Sequence, residues 1–515
     1  MRSYYRKKLN RLIGAAGKEE FIQLLWATHI LQSDNPEPAR KFIQSDTIPK
    51  GAETVEMWDE LSIRPWEIET LANELMTVRK KKTTRNGRTR TLHWDHFQAA
   101  AQCVNWLRHL ENAEFSIQKE RQDVFFEMGR IAARQFDWQR GYVNVPQFYR
   151  NVYVYGQGEC AAYFERTHGI SLDRFVHIGF MLYVLLTQYP VIRNNDVWGQ
   201  MGIKPYEVER VLSLVALPYP QAAKQARENR RGVIHTADKP SILRQSPCLR
   251  FGEEGERIRA PLPDLILERV TSGVFYDVVG GGGPIRDDYG KRFEDYCFNY
   301  LTTSLPNSKW TREFDYRKKP NSYASPDILC FLEGEIDIAI ECKATKMSHQ
   351  AMFGRDPIAA RGYEDMTKAV FQIWRFFSHC RRGFSGLSVT PDAVGVVLTL
   401  DNWLEMSEPL RRLVFKGAEE MACKKEPLIT EEDRRPIPFV AAPELERTLT
   451  VVSEASFKEA LISSNTTEFL GWRLDTIAHK LPVEADKDKR RYPFADDLGR
   501  LLPWWEDRGR KPPTF

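Results

Sequence analysis

The chain has 515 residues, of which 42% are hydrophobic and 28% charged, and its net charge is +4 at pH 7. This length exceeds one hydrophobic core, so we expect several domains. The near-neutral charge excludes a protein that is basic over its whole surface, so any nucleic-acid site must be local. The scattered cysteines lack metal-binding spacing, which is typical of reduced, buried thiols in a cytoplasmic protein.

The first half of the chain carries mostly helical patterns. Apolar spacing or helix-length apolar runs predict helices at Phe21 to Leu31, Trp66 to Met76 and Arg174 to Leu186. We divide this half into a helical domain at 1–150 and a second helical module at 151–275. The cleanest apolar stretch, Ile178 to Leu186, is too short to cross a bilayer, so we expect no membrane partner.

A weak internal repeat links the two helical units, because the sequence at 58–69 recurs at 198–209. Each copy predicts a turn and then a helix that begins at a proline (Pro65 or Pro205), with acidic residues in its first turn. This pattern fits a helix–turn–helix that contacts DNA, and it fits equally a duplicated packing module.

The first copy leads into a basic segment that contains no acidic residue. Asn86-Gly87 is a strong hairpin signal, so a turn, a helix and a basic hairpin together predict a winged-helix-like unit at 55–95. We expect the hairpin to contact nucleic-acid phosphates; the alternative is a solvated basic loop. The basic residues of the segment are Arg79, Lys80, Lys81, Lys82, Arg85, Arg88 and Arg90.

From residue 285 the pattern changes to an α/β core with a mixed sheet flanked by helices, which we bound at 285–405. The predicted elements are a helix at 287–303, strands at 309–317, 326–331 and 335–345, a helix at 363–380 and a strand at 393–400. Residues 406–515 form a C-terminal α/β extension. The expected fold class is therefore α+β and multidomain, with a mostly helical N-terminal region.

Two predicted strands of this core form a hairpin around Gly334. Folding there sets Asp327 opposite Glu341, and the alternation of strand residues places Lys343 on the same face. Two facing carboxylates repel unless a cation lies between them, and oxygen ligands suit Mg²⁺. The alternative is a surface hairpin whose charges are solvated.

Pro326-Asp327 followed by Glu341-Cys342-Lys343 resembles the signature of the PD-(D/E)xK, or restriction-endonuclease-like, nuclease superfamily. The resemblance covers residues 285–405. It implies a restriction-endonuclease-like core in which Asp327 and Glu341 bind Mg²⁺, with Mn²⁺ as a substitute, and Lys343 is the catalytic lysine.

Two further positions resemble elements of that superfamily. The helix around Glu294 resembles the one that carries an additional active-site glutamate, and Gln372 begins a Q-x-x-x-Y-like element, with Phe376 in place of the tyrosine. The resemblance implies that Glu294 is a further acid near the metal and that Gln372 orients the site. The alternative is that Glu294 is a side chain on the helix surface and that Gln372 is a capped or solvated amide.

The predicted function is Mg²⁺-dependent hydrolysis of phosphodiester bonds in DNA, with RNA left open as a substrate. Fusion of a helical region to such a core resembles restriction and anti-phage defence effectors. That resemblance leaves room for a separate operon-encoded sensor or NTPase subunit and for a homo-oligomer. The alternative is a non-catalytic nucleic-acid-binding protein that uses a degenerate nuclease fold and the basic hairpin.

Overall fold

The computed structural model describes residues 1–54, 56, 59–79, 93–115, 124–142, 144–193, 197–233, 235–318, 321–353, 357–404, 408–481 and 490–509. The fold is a mixture of helices and mixed sheets, so the predicted α+β class is confirmed. The division into four domains stays a prediction.

The first part of the chain is mainly helical, as predicted. Its helices are α1 (Arg2–Ile13), α2 (Lys18–Leu31), α3 (Glu37–Arg40), α4 (Pro65–Thr77), α5 (Phe97–Phe115), α6 (Val124–Arg140), α7 (Val145–Tyr155), α8 (Gly158–His168), α9 (Leu172–Gln188), α10 (Val197–Gln200), α11 (Pro205–Val215), α12 (Tyr219–Asn229), α13 (Asp264–Val270) and α14 (Phe275–Val278). The three helices predicted from apolar spacing correspond to α2, α4 and α9.

The N-terminal region also contains a small four-stranded sheet that was not predicted. Its strands are β1 (Ile192–Arg193), β2 (Ala216–Pro218), β3 (Cys248–Phe251) and β4 (Arg257–Arg259), in the order β1-β4-β3-β2. Strands of two to four residues are too short to show the alternation by which a strand is recognised in sequence.

The remaining elements begin with a long helix and surround a second sheet. They are α15 (Gly283–Ser304), β5 (Lys309–Arg312), β6 (Asp315–Lys318), β7 (Asn321–Ala324), β8 (Ile328–Leu332), β9 (Glu335–Lys343), α16 (His349–Phe353), α17 (Arg361–Arg381), β10 (Val389–Thr399), α18 (Glu408–Lys425), β11 (Phe439–Ala441), α19 (Ala442–Leu449), α20 (Glu454–Ser463), α21 (Leu474–Lys480) and α22 (Leu498–Leu501).

The second sheet is mixed and has the order β11-β10-β9-β8-β5. β5, β8 and β9 are antiparallel neighbours, whereas β10 and β11 run parallel to β9. Helix α17 makes the crossover from β9 to β10, as a parallel pair requires. This sheet extends the predicted core, because β11 lies in the segment assigned to the C-terminal extension.

One predicted strand, 309–317, is in fact two. The chain pairs with β8 only as far as Arg312, and residues 315–318 then form a separate hairpin with β7. The division follows from hydrogen bonds: the Glu313 amide donates to the Asp327 carbonyl at 2.9 Å, and the Phe314 amide donates to Ser325 Oγ at 3.0 Å. These hydrogen bonds keep residues 313–314 beside 325–327, so the pairing of the two segments continues but is irregular beside Asp327.

Apolar side chains cover both faces of the five-stranded sheet. Ile338, Ile340 and Cys342 belong to an extensive cluster that continues into the N-terminal helices and α15. Leu329 and Ala339 belong to a second cluster, formed largely by α17 and α18. The end of β9 is thus held between α15 and α17.

Within the described residues, no single helix is long and apolar enough to span a membrane; only α8 and α9 together, bent by 69°, pass a test of length and composition. All eight cysteines are free thiols, and seven of them are buried, with Cys423 exposed.

Candidate active site

The hairpin of β8 and β9 turns at Glu333 and Gly334, which both have positive φ angles, of 53° and 91°. At the end of the hairpin farthest from the turn, Ile328 pairs with Ile340. If this register continues by one residue, Asp327 lies opposite Glu341. Glycine at the second turn position permits this tight reversal. The predicted hairpin and its register at the candidate site are therefore found, although a bulge shifts the pairing between Cys330 and Phe331.

Glu341 is held by two side chains. Its Oε1 atom accepts a hydrogen bond from Lys343 Nζ at 2.8 Å and one from Gln372 Nε2 at 2.7 Å. Only 2% of Glu341 is exposed, and 19% of the Lys343 side chain. A solvated surface hairpin would leave both charges in water, so that alternative does not describe these residues.

Asp327 is in an environment that disfavours its charge. Burial raises the pKa of its carboxyl well above the usual range, and the Glu341 carboxylate raises it further, whereas Lys343 lowers it. One oxygen, Oδ2, accepts a hydrogen bond from the Cys342 amide at 2.6 Å, which fixes the carboxyl against β9. Two carboxylates therefore converge at the end of this hairpin.

Glu294 lies on α15, near the same carboxylates. Its charge contributes to raising the pKa of Asp327, and burial raises the pKa of Glu294 itself, partly offset by Lys291. The Lys291 ammonium donates to Glu294 Oε2 at 3.0 Å. The structure therefore brings together all five residues predicted as catalytic, from α15, β9, α17 and the residue before β8.

The donor set of this site is suited to a hard divalent cation. Asp327 Oδ2 and Glu341 Oε1 accept these hydrogen bonds, and among the described residues the second oxygen of each carboxylate accepts none. Paired oxygen ligands are what Mg²⁺ and Mn²⁺ prefer. A bound cation would also relieve the repulsion that raises the pKa of Asp327.

The predicted nucleic-acid contacts are a separate matter. Arg79 is exposed immediately after α4. Lys80, Lys81, Lys82, Arg85, Arg88 and Arg90 lie outside the described residues, and so does most of the proposed wing. The phosphate-binding role of the segment stays a prediction.

The internal repeat has a clear structural basis. The carboxylates of Glu67 and Glu207 each accept a hydrogen bond from the amide that precedes the helix, at 2.9 Å in both copies. Each carboxylate also accepts a bidentate pair of hydrogen bonds from an arginine of another helix. The arginine is Arg108 on α5 for Glu67 and Arg174 on α9 for Glu207. The shared glutamate is thus a helix cap and an interhelical anchor, which favours the packing module.

One cluster was missed by sequence reasoning. His93, Asp95 and His96 hold ligand-type atoms within 4.8 Å of one another, which no other trio of such residues does in the described ranges. The His93 and His96 rings are stacked at 4.5 Å, and Asp95 accepts a hydrogen bond from Gln44. Two histidines around an aspartate were the available signal.

Comparison of the chain with protein-family models, with curated proteins and with solved structures finds no match.

Proposed function

We propose that the protein is a metal-dependent nuclease whose active site consists of Asp327, Glu341 and Lys343, supported by Glu294 and Gln372. The observation that carries the proposal is the convergence of two half-buried or buried carboxylates with one lysine at the end of β9. Carboxylates with strongly shifted pKa values cluster at functional sites, because structure alone gains nothing from their repulsion.

Asp327 and Glu341 would hold the metal, for which Mg²⁺ is the first candidate. When bound, such an ion supplies Lewis acidity at a phosphate oxygen and makes a bound water more acidic. Other groups of the protein position these two carboxylates. The Cys342 amide fixes Asp327, and the Gln372 amide fixes Glu341, so both ligands are oriented before binding.

Lys343 is proposed to act on the phosphate. Burial lowers the pKa of its ammonium, but Glu341 and Asp327 outweigh burial, and the net shift is upward. The lysine therefore stays charged at neutral pH, as a group must that neutralises negative charge developing on a phosphodiester. It is held on Glu341 and can reorient toward substrate, since the ammonium has three donors.

DNA is the proposed substrate, and RNA is the alternative that the assay compares. The resemblance of the sequence to restriction and defence nucleases motivates this choice. It also motivates a search for an operon-encoded partner that activates the chain.

The decisive experiment is cleavage of plasmid, linear DNA and RNA by the full chain with Mg²⁺ or with EDTA. We expect Lys343→Ala to reduce the rate by about two to three orders of magnitude, the usual effect of removing one group that stabilises transition-state charge. Binding of DNA should change little. Lys368→Ala is the matched control, because Lys368 is a half-exposed lysine of α17 that pairs with Glu364.

The metal ligands give a second test. Asp327→Ala should be as severe as Lys343→Ala, and excess Mn²⁺ should restore part of the activity of Asp327→Asn but none of Lys343→Ala. Cleavage that continues in EDTA, or with Lys343 replaced, contradicts the proposal. DNA binding without cleavage, even with the partner present, would favour the non-catalytic alternative.

The basic segment is tested separately by salt dependence. Alanine at Lys80, Lys81 and Lys82 should lower DNA affinity and reduce the slope of log K against log salt by roughly 0.9 for each lost phosphate contact. Alanine at the exposed lysines Lys7, Lys41 and Lys50 is the control with equal charge change. Equal slopes in the two variants would identify the segment as a solvated loop.

A further inference from the structure

A large cavity lies apart from the carboxylates of the candidate active site. Its volume is about 870 Å³, and its walls come from α4, α6, α7, the segment after β9, and the chain beyond β10. None of the five proposed catalytic residues lines it. Pockets of roughly 300–1,000 Å³ are the size that binds small organic molecules.

The lining combines charge with aromatic rings. Nine basic and five acidic side chains contribute to it, so its formal charge is positive. Several of the basic groups are neutralised: Arg134 pairs with Glu111, and Arg244 with Glu69 and Glu268. The binding capacity must therefore come from the cations that are incompletely paired.

Lys346 is the clearest of these cations. Its side chain is 12% exposed, and the nearest carboxylate oxygen, Asp401 Oδ2, is 3.6 Å away, beyond hydrogen-bond range. Its ammonium lies 5.8 Å from the centre of the Tyr276 ring, which also lines the cavity. Burial lowers the pKa of this ammonium, but Asp401, Tyr276 and Glu268 outweigh burial and the net shift is upward, so Lys346 presents a full positive charge at the cavity wall.

Two buried polar atoms of residues in the cavity wall have no hydrogen-bond partner within the part of the chain that the structure describes. Arg150 is 4% exposed, and its Nε–H finds no acceptor although the other end of the guanidinium pairs with Glu446. Asn73 is also 4% exposed, and its Oδ1 finds no donor, whereas its amide nitrogen donates to the Pro240 carbonyl. One donor and one acceptor, from two parts of the chain, thus have no hydrogen-bond partner among the described residues.

Aromatic side chains also belong to the cavity wall. Tyr276 presents its ring, since it is 48% exposed, whereas Trp66, Tyr142, Tyr363 and Trp403 line the cavity as largely buried side chains. Flat rings stack on heteroaromatic bases, and cations with free N–H groups bind phosphate oxygens. Together these two chemistries recognise a phosphorylated nucleoside.

We propose that this cavity is a binding site for a small nucleotide, with Lys346 and Arg150 directed at its phosphates and the Tyr276 ring at its base. The volume has room for a ligand as large as a dinucleotide. The site is distinct from the proposed nuclease centre and does not depend on it.

The cavity is nevertheless connected to the candidate active site. Lys346 follows Lys343 by only three residues, and the intervening Thr345 carbonyl accepts a hydrogen bond from Trp403 Nε1 at 2.8 Å. Tyr363 lies at the start of α17, the helix that carries Gln372. A nucleotide in the cavity would therefore contact the segments that position Lys343 and Gln372.

Calorimetric titration of the full chain tests the proposal. The probes are ATP and the linear dinucleotide pApA, with adenosine and pyrophosphate as partial ligands, all in EDTA so that no metal ion bridges to Asp327. We expect both nucleotides to bind, and both partial ligands to bind more weakly. Lys346→Met should weaken nucleotide binding about tenfold or more, as loss of a charged hydrogen bond implies.

Lys346→Arg should retain binding, and Lys368→Met, an exposed lysine on α17, should leave it unchanged. Circular dichroism checks that each variant is folded, and Asn73→Asp, which adds a carboxylate to the wall, gives a second route if Lys346→Met is not. Absence of binding by both nucleotides, equal affinity in Lys346→Met, or adenosine binding as tightly as ATP would overturn the proposal. Displacement of ATP by a single-stranded oligonucleotide would instead assign the cavity to the nucleic-acid path.

Discussion

Buried acids in the helical region and at the end of β9 have different neighbours. In the helical region the strongest charged neighbour of Glu69 is Arg244, and that of Glu74 is Lys239; burial raises both pKa values, but these cations and others outweigh it. For Asp327 the strongest charged neighbour is another carboxylate, Glu341, which adds to the effect of burial.

Burial alone does not make this difference. Burial also raises the pKa of Glu111 and Glu268, yet each has an arginine as its strongest charged neighbour. A buried acid beside a cation is explained by stability, because the pair offsets the loss of hydration. A buried acid beside an acid has no such explanation, and it is the better indicator of a binding or catalytic site.

The largest effect should come from breaking one of the paired acids. Arg244 donates two hydrogen bonds to Glu69, at 2.8 and 2.9 Å, and Trp138 donates a third at 3.1 Å. Glu69→Gln leaves part of the buried guanidinium charge without its partner, so we expect a loss of about 3 kcal/mol in the free energy of unfolding. Urea denaturation at pH 7 measures it.

The internal repeat provides the matched control. Glu209 occupies the equivalent position in the second copy and pairs with Arg250 at 2.7 Å, but its side chain is 52% exposed. Glu209→Gln should cost at most about 1 kcal/mol, as is usual for exposed pairs. Equal losses in the two variants would show that burial does not decide the strength of these pairs.

A smaller effect should show how far burial shifts a pKa where no repulsion between two carboxylates is involved. The His379 side chain is fully buried beside the Tyr316 hydroxyl, and burial lowers the pKa of its imidazole to about 4 from an ordinary value of 6.5. The unfolded chain therefore takes up this proton first as the pH falls. Stability should be complete above pH 6.5 and decline toward pH 4, by about 2 kcal/mol for this group.

His379→Asn removes the titration, so its unfolding free energy should fall less than that of the wild type between pH 7 and pH 4.5. The exposed His93, replaced in the same way, is the control. An unchanged pH slope in His379→Asn would mean that the imidazole is not held neutral by burial, and that pKa shifts from burial alone are smaller in this protein than proposed.

The candidate site could be predicted because its geometry is local. Asp327 and Glu341 lie on one hairpin, and the period of a strand with a turn at Gly334 fixes their relation. Gln372 and Glu294 required a resemblance, since nothing in their own helices indicates that they approach β9. Within residues 285–405 the predicted order of helices and strands was found with two differences: the predicted strand 309–317 divides into β5 and β6, and neither β7 nor α16 was predicted.

The cavity could not be predicted, for a complementary reason. Lys346, Arg150 and Asn73 are far apart in the sequence, and they line one cavity only because helices and sheet pack together. No spacing rule connects them. The short strands β1 to β4 were not predicted for a related reason, because they are defined by their pairing partners rather than by their own sequence patterns.

The smallest expected effect concerns Asp327 itself, the acid whose strongest charged neighbour is another carboxylate. Asp327→Asn removes the repulsion with Glu341 but keeps an oxygen that can accept from the Cys342 amide. Because the folded pKa of Asp327 is raised, this group stabilises the fold at low pH and that contribution is lost as pH rises above the usual carboxyl range. In EDTA at pH 8 we therefore expect the variant to be more stable than the wild type by about 1 kcal/mol. The gain should disappear at pH 4.

Adding Mg²⁺ should reverse the order of stability of the wild type and Asp327→Asn, because an ion that binds only the folded wild type stabilises it by mass action and the variant has lost a ligand. Urea denaturation of both proteins in EDTA and in Mg²⁺ measures all four values. A variant that is less stable in EDTA, with no response of the wild type to Mg²⁺, would place Asp327 among the paired acids and remove the distinction between the two regions.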